Sequence, residues 1–435
     1  MLLFSDSRAA PADEPLAGFV MGYFTGSPKG NGDSWNLHLA ISEDGLRWMP
    51  LNQGEPVLIP TLGRKGLRDP FFLSKQDGGF LVMASNEPGD NPDPSAEIHV
   101  WDTGDFISFQ NARLLKLHSD DALHTLAPEA FYDPGSKQYG IIWSGGTAHP
   151  RIYVNFTTDF INVSPSQVYF DPGHDVLDAT LRYDPAGDSG FLYYRDAQAD
   201  RLRGTRTAGL APGGFETSPY IKPLGGKNTQ SPLLVKSLHQ DLWHLFSGSD
   251  AWQTTDLRLD AWQEISKRDY NLPLNSKHPT VVPVTRVELD GLIGHWGGPR
   301  WNRLQAYNFP DRFVRHENFQ CKISPYPFDP YEDSQWRLVP GLVDAKGVSF
   351  EAINLPGYYL RTVAEHVVLA KNDGSNTFKS RATFIKVPGL GDAAWSSFQA
   401  FSSPDLYLRH SNYILRLEPV KSPAEKEDAT FRIVY

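Results

Sequence analysis

The residues best able to do chemistry are acids and amides at the heads of short apolar segments. Asp69 opens Asp69-Pro70-Phe71-Phe72-Leu73, Glu129 lies in Pro128-Glu129-Ala130-Phe131-Tyr132, and Asp178 opens Asp178-Ala179-Thr180-Leu181-Arg182. Gln230 precedes Ser231-Pro232-Leu233-Leu234-Val235, and His278 opens His278-Pro279-Thr280-Val281-Val282. Two carboxyl groups facing each other can cleave a glycosidic bond. The ionised one activates water and the protonated one gives its proton to the leaving oxygen; an inverting site keeps them roughly 6.5–9.5 Å apart so that water fits. A third carboxylate nearby raises the pKa of the acid by like-charge repulsion. These residues lie far apart in the chain, so the chemistry needs a fold that brings strand starts together.

The repeats supply one. The openings at 69, 128, 178, 231 and 278 are 59, 50, 53 and 47 residues apart. Each leads through a Gly/Asp turn to a second aromatic-rich strand, and often to a Ser/Thr-x-Asp turn with a trailing apolar residue, as in Thr158-Asp159-Phe160 and Thr255-Asp256-Leu257. That period suits one four-stranded blade of a β-propeller, and five openings predict five blades. Innermost strands converge on a central funnel. Phe19–Phe24 and Leu37–Ser42 precede any opening and read as later strands of the blade begun near His278, closing the ring.

A shorter repeat occupies the C-terminal part. Leu304-Gln305-Ala306, Phe350-Glu351-Ala352 and Phe398-Gln399-Ala400 each stand four residues before a Pro, and six residues beyond that Pro come His316, Thr362 and His410. The copies end in Asp333-Ser334-Gln335-Trp336, Arg381-Ala382-Thr383-Phe384 and Asp428-Ala429-Thr430-Phe431. Three strand-and-turn copies predict a β-trefoil. The chain is thus read as all-β: a five-bladed β-propeller over 1–298 followed by a β-trefoil over 299–435.

Composition agrees and excludes alternatives. Gly 37 and Pro 34 in 435 residues favour short strands and tight turns. A net charge of −10 with no basic cluster argues against nucleic-acid binding. No apolar run is long enough to span a bilayer. Met1–Asp6 lacks a basic n-region, so the chain is expected either to have lost a signal peptide, and be secreted, or to be cytoplasmic. One cysteine, Cys321, excludes an internal disulfide and a multi-Cys metal site. No Walker loop, HExxH, GxSxG or dinucleotide fingerprint occurs. Asn155 and Asn162 head glycosylation sequons. Trp143, Trp243, Trp296 and Tyr194 could stack on sugars, but core positions suit them better.

The motifs Arg68-Asp69-Pro70, Ala127-Pro128-Glu129, Leu177-Asp178-Ala179-Thr180 and the Pro232 strand resemble glycoside hydrolase family 43, the five-bladed inverting enzymes that debranch arabinan and xylan. The C-terminal repeats resemble carbohydrate-binding module family 42, the arabinose-binding domain of arabinofuranosidase B type. Together the resemblances cover nearly the whole chain and imply an inverting exo-α-L-arabinofuranosidase acting on arabinan, arabinoxylan or arabino-oligosaccharides. They imply Asp69 as general base and Asp178 as the residue that raises the acid's pKa and positions it. His278 takes the place of a family histidine near the axis that often holds a water or a cation, and Glu129 helps line the pocket. In the trefoil they imply sugar pockets at His316 with Asp333 and at His410 with Asp428. The middle copy, with Thr362 and Arg381, cannot form one. No cofactor is required; a single structural cation such as calcium at the axis is allowed by the family. A monomer is expected, with no nucleic-acid or membrane partner.

One departure stands out. Where the family has its general acid, Asn228-Thr229-Gln230-Ser231-Pro232 carries an amide. Gln230 has the shape of Glu without its proton. It is open whether this is an amide variant made to trap substrate, a natural homologue that binds or turns over slowly, or a chain in which another acid such as Glu216 serves. Rival functions are an arabinan-binding protein without catalysis, a β-xylosidase or β-galactosidase of the same fold, and a protein-interaction scaffold.

Overall fold

The computed structural model describes residues 14–26, 34–90, 92–120, 122–146, 148–216, 218–226 and 229–435. Asn228 and the Met1–Asp6 segment lie outside the described residues. The chain divides into two compact units, Met1–Gly298 and Pro299–Tyr435.

The first unit is a five-bladed propeller. From the innermost strand outward, the first blade is Arg68–Ser74, Phe80–Ser85, Glu97–Thr103 and Gln110–Lys116. The second is Leu126–Asp133, Gln138–Gly145, Arg151–Thr157 and Gln167–Phe170. The third begins with Val176–Asp184, Ser189–Asp196 and Arg201–Ala208, and the fourth is Leu233–Lys236, Trp243–Ser247, Asp250–Thr254 and Gln263–Glu264. In the fifth, Ser276–Thr285 is joined by Leu16–Thr25, His38–Ser42 and Met49–Pro50 from the start of the chain. The antiparallel register Val20↔Val282 and Gly22↔Thr280 closes the ring as the sequence predicts.

Strand alternation explains the packing. Successive side chains point to opposite faces, so Phe71 and Leu73 enter the cluster shared with the second blade, while Phe72 enters the one shared with the fifth. Each junction between neighbouring blades has such an apolar cluster. The Ser/Thr-x-Asp turns work as local caps: Thr103 Oγ1 accepts from Phe106 N at 2.9 Å and Asp105 Oδ1 from Ile107 N at 2.9 Å, so that Phe106 is turned inward and buried.

Two features differ from the sequence reading. Among the described residues the third blade has three strands, not four; its outer position is taken by a stretch with the bridges Thr207↔Phe215 and Leu202↔Leu224. Gly209, Pro212, Gly213, Gly214, Pro219 and Pro223 deprive that stretch of ladder donors and side-chain packing. A helix, Arg286–Trp296, follows the closing strand; Thr285 and Glu288 form its capping box, and Leu289 and Leu292 bury its inner face.

The second unit is a β-trefoil whose twelve strands form one continuous sheet. Its core is threefold in kind: Leu304, Phe350 and Phe398, then Val314, Leu360 and Leu408, then Trp336, Phe384 and Phe431, all within one buried cluster. No helix among the described residues is long and apolar enough to cross a membrane.

Candidate functional site

Five residues at the heads of the innermost strands share one unusual backbone state. Asp69, Ala127, Asp178, Ser231 and His278 have φ of 49°, 50°, 49°, 55° and 45°. Each is followed by Pro or Ala. In the first three blades the ladder shifts register there, between Arg68 and Phe71, Leu126 and Glu129, and Leu177 and Thr180. Each of these heads is a β-bulge in which two residues oppose one, and a proline tolerates the lost ladder bond. A left-handed non-glycine residue costs about 1–2 kcal/mol, and five at one register make this ring of heads the candidate site.

Polar contacts at these heads join each blade to the next in a closed circuit. Ala127 N–H donates to Asp69 Oδ2 at 3.2 Å and to Ser85 Oγ at 3.2 Å, joining the first and second blades. Asp178 N–H donates to Ser144 Oγ at 3.0 Å, joining the second and third. Ser231 N–H donates to Asp178 Oδ2 at 3.2 Å, joining the third and fourth. Ser231 Oγ lies 2.9 Å from His278 Nδ1, and that nitrogen lies 3.2 Å from Asp69 Oδ1, completing the circle. Ser85 Oγ also donates to Asp69 Oδ2 at 3.1 Å.

The electrostatics follow from burial and pairing. Burial works against ionisation of Asp69, but His278, then Arg68 and the Ala127 N–H, overcome it and hold the carboxyl at about 2. Burial likewise disfavours charge on His278, yet Asp69, with help from Asp178 and Glu129, raises the imidazole to about 9. The pair is therefore ionic at neutral pH. Glu129 follows directly after the second-blade bulge, paired with Ile142 on the next strand. Burial pushes it up to about 7, against the pull of Arg182 and His278 and of hydrogen bonds from Thr180 and the Leu181 backbone.

Gln230 is not a member of the circuit. It stands one residue before Ser231, with its side chain exposed and its carbonyl accepting from Ser247 Oγ at 2.6 Å. It shares the register of Arg68, Leu126, Leu177 and Lys277, the rim above the five heads. Glu216 sits elsewhere: its N–H donates to Arg206 O at 2.9 Å and its carboxylate meets Arg206 Nε at 2.9 Å, on the third strand out from the axis. The second-blade head is Ala127 rather than Pro128, the opening expected from sequence. Trp143, Trp243 and Tyr194 are buried and Trp296 is partly so. Asn155 is fully buried, accepting from Trp143 Nε1 at 2.8 Å, so its sequon cannot receive a glycan in the folded chain, whereas Asn162 is exposed.

A cation at the axis finds little to hold it. Nδ1 of His278 is committed to Asp69 and Ser231, and among the described residues no group of three or more His, Cys, Asp or Glu comes together as a metal cage. Calcium takes six to eight oxygen ligands, waters included, so a cation there would draw most of its shell from water.

The trefoil clusters at His316 and His410 are more elaborate than the pairs read from sequence. His316 Nε2 lies 3.1 Å from Asn354 Oδ1 and 3.4 Å from Asp333 Oδ1; Asn354 Nδ2 donates to Asp333 Oδ1 at 2.8 Å. In the third copy, His410 Nε2 lies 2.9 Å from Asn308 Oδ1, and Asn308 Nδ2 donates to Asp428 Oδ1 at 2.7 Å. Each cluster thus borrows an asparagine from the next copy in cyclic order. The sequence carried that signal in Ala306-Tyr307-Asn308 and Ala352-Ile353-Asn354, against Ala400-Phe401-Ser402. Three residues after each of the two histidines stands an exposed aromatic, Phe319 or Tyr413, presented on a left-handed turn; the middle copy has Glu365.

Residues 14–290 match the family model described as "Probable glycosyl hydrolase domain", one related to glycosyl hydrolase family 43, and this chain belongs to that family. Residues 302–433 match the "Alpha-L-arabinofuranosidase B (ABFB) domain". An extracellular exo-alpha-(1->5)-L-arabinofuranosidase of Streptomyces avermitilis is 42% identical over 130 residues, covering 30% of this chain and 27% of that protein. An alpha-L-arabinofuranosidase of Bifidobacterium longum is 22% identical over 346 residues, 70% of this chain and 31% of that one. Alpha-L-arabinofuranosidase B of Aspergillus niger is 33% identical over 86 residues, 19% of this chain and 17% of that one. The chain spans less than a third of each of these relatives.

Proposed function

We propose that the chain is an inverting, exo-acting α-L-arabinofuranosidase that removes terminal arabinofuranose from arabinan or arabinoxylan, with turnover held low by Gln230. The observation that carries this is the circuit itself: Asp69 and Asp178, distant in sequence, are tied through Ser231 and His278 at the head of one funnel. In this reading Asp69 takes a proton from water as its oxygen attacks the anomeric carbon. Asp178 grips the Ser231 N–H and so orients the neighbouring position 230. There the leaving oxygen needs a proton; the Gln230 amide offers no acidic one, so the proton comes from solvent water and turnover is slow. His316, Asp333 and Asn354, and likewise His410, Asp428 and Asn308, hold arabinofuranosyl side chains of the polymer against Phe319 and Tyr413. The reading extends to a secreted monomer, in keeping with the extracellular Streptomyces relative, and routes no step through a cation.

A second reading, a binding protein without turnover, is favoured by Gln230. One comparison separates the two: the chain and its Gln230→Glu form, assayed on an aryl α-L-arabinofuranoside and on linear arabinan, with the first product anomer followed by NMR. The enzyme reading expects a gain of about 10²–10⁴ in rate and a β-anomer first. No hydrolysis by either form, with arabinan binding kept, supports the second reading. An α-anomer first overturns inversion.

A further inference from the structure

The three lobes of the trefoil are internal controls for one another. In the first and third, the arginine preceding the pocket histidine is matched by the pocket acid: Arg315 Nη2 lies 3.2 Å from Asp333 Oδ2, and Arg409 Nη2 lies 3.3 Å from Asp428 Oδ2. The Nε groups of those arginines point to the His316 and His410 carbonyls at 3.3 and 3.5 Å. In the middle lobe Arg361 keeps the equivalent place, over the Phe378 ring at 5.0 Å. The acid, however, is replaced by Arg381, and Arg361 Nε is buried with no hydrogen-bond partner.

The acids around the lobe do not pair with these two cations. Glu351 is held by Arg337 at 3.0 Å and by Gly357 N at 2.8 Å, and Glu365 lies 3.5 Å from Arg416. Asp373 is held low first by Ser375, whose N–H donates to it at 2.8 Å, and in smaller part by the charge of Arg361. Four pocket positions have changed together: histidine to Thr362, acid to Arg381, asparagine to Ser402 and aromatic to Glu365. Arg381 thus puts a second guanidinium-bearing residue at the position that carries the acid in the other two lobes, with its carbonyl 3.4 Å from Thr362 Oγ1.

We propose that the middle lobe is a carboxylate site, in which Arg361 and Arg381 take the uronate group of an acidic sugar. Paired guanidinium groups bind a planar carboxylate through charge-assisted, bidentate bonds that a neutral pentose cannot supply. The inference rests on the reading that the flanking lobes are sugar pockets. A galacturonate chain or a glucuronate branch of xylan presents the same group.

The test is calorimetry on the full chain and its Arg381→Ala form at low and high salt. Arg381 is exposed, so its truncation leaves the core intact. The probes are tri-galacturonate, a glucuronate-bearing xylo-oligosaccharide, carboxyl-reduced versions of both, and arabinotriose. The expected result is binding of at least one acidic probe, weakened about tenfold by Arg381→Ala and by salt, with its reduced version inert. Which acid binds names the source. Equal binding by the Ala form, equal binding of the reduced probe, or no acidic binding overturns the proposal. Arabinotriose reports separately on the flanking pockets: its failure to bind defeats their assignment while acidic binding still upholds this one.

Discussion

Nδ1 of His278 stands 3.2 Å from Oδ1 of Asp69, and the two residues occupy the same register at the heads of adjacent blades. This contact closes the polar circuit and fixes the charge state of both partners. Replacing Asp69 by Asn keeps the shape and removes the charge. The imidazole of His278 should then titrate below about 9, moving toward the ordinary histidine range, as read from its ring proton shifts by NMR. An unchanged titration would mean that the pair does not set the charge of the ring.

The same contact gives a pH window. His278 is raised, so its contribution to stability is full below about 6.5 and lost as pH climbs through about 9. Asp69 is lowered, so its contribution is present above about 3.8 and lost as pH falls through about 2. Thermal unfolding should show the native chain losing stability relative to the Asp69→Asn form at both extremes, with the largest advantage between about pH 4 and 6.5.

Glu129 behaves in the opposite sense. Its folded-state value of about 7 lies above the usual 4.5, so its protonated form is favoured, and stability is lost as pH rises from about 4.5 through 7. Glu129→Gln should leave the melting temperature nearly unchanged at pH 5 and raise it at pH 8, by about 2–4 °C. An equal shift at both values would show that the carboxyl is not being penalised for its charge.

In the trefoil, Asn354 and Asn308 should matter as much as the histidines they hold. Calorimetry with arabinotriose on the full chain should lose one bound equivalent in Asn354→Ala or Asn308→Ala and two in the double variant, over and above whatever the propeller site takes up. Thr362→Ala should change nothing. Phe319→Ala should weaken its pocket while leaving stoichiometry at saturation intact, because stacking adds about 0.5–1.5 kcal/mol.

The sequence by itself determined the two architectures. Strand, turn and aromatic recur at a blade's length in the first part and at a trefoil lobe's length in the second, because each repeat must bury the same apolar faces. It also placed Asp69, Asp178 and His278 at equivalent strand heads, since those side chains stand where the pattern begins. Ala127 has no functional group to mark it in the sequence, though its N–H is what Asp69 holds. Asn308 and Asn354 were visible as a repeated Ala-x-Asn, but their partners lie in another copy. Only the tertiary structure decided which atoms meet: that Asp69 is committed to His278, that Glu129 faces Arg182 and Thr180 of the next blade, and that Glu216 faces outward on Arg206. Charge state depends on burial and on neighbours across the ring, and both arise only when strands far apart in the chain converge on one axis.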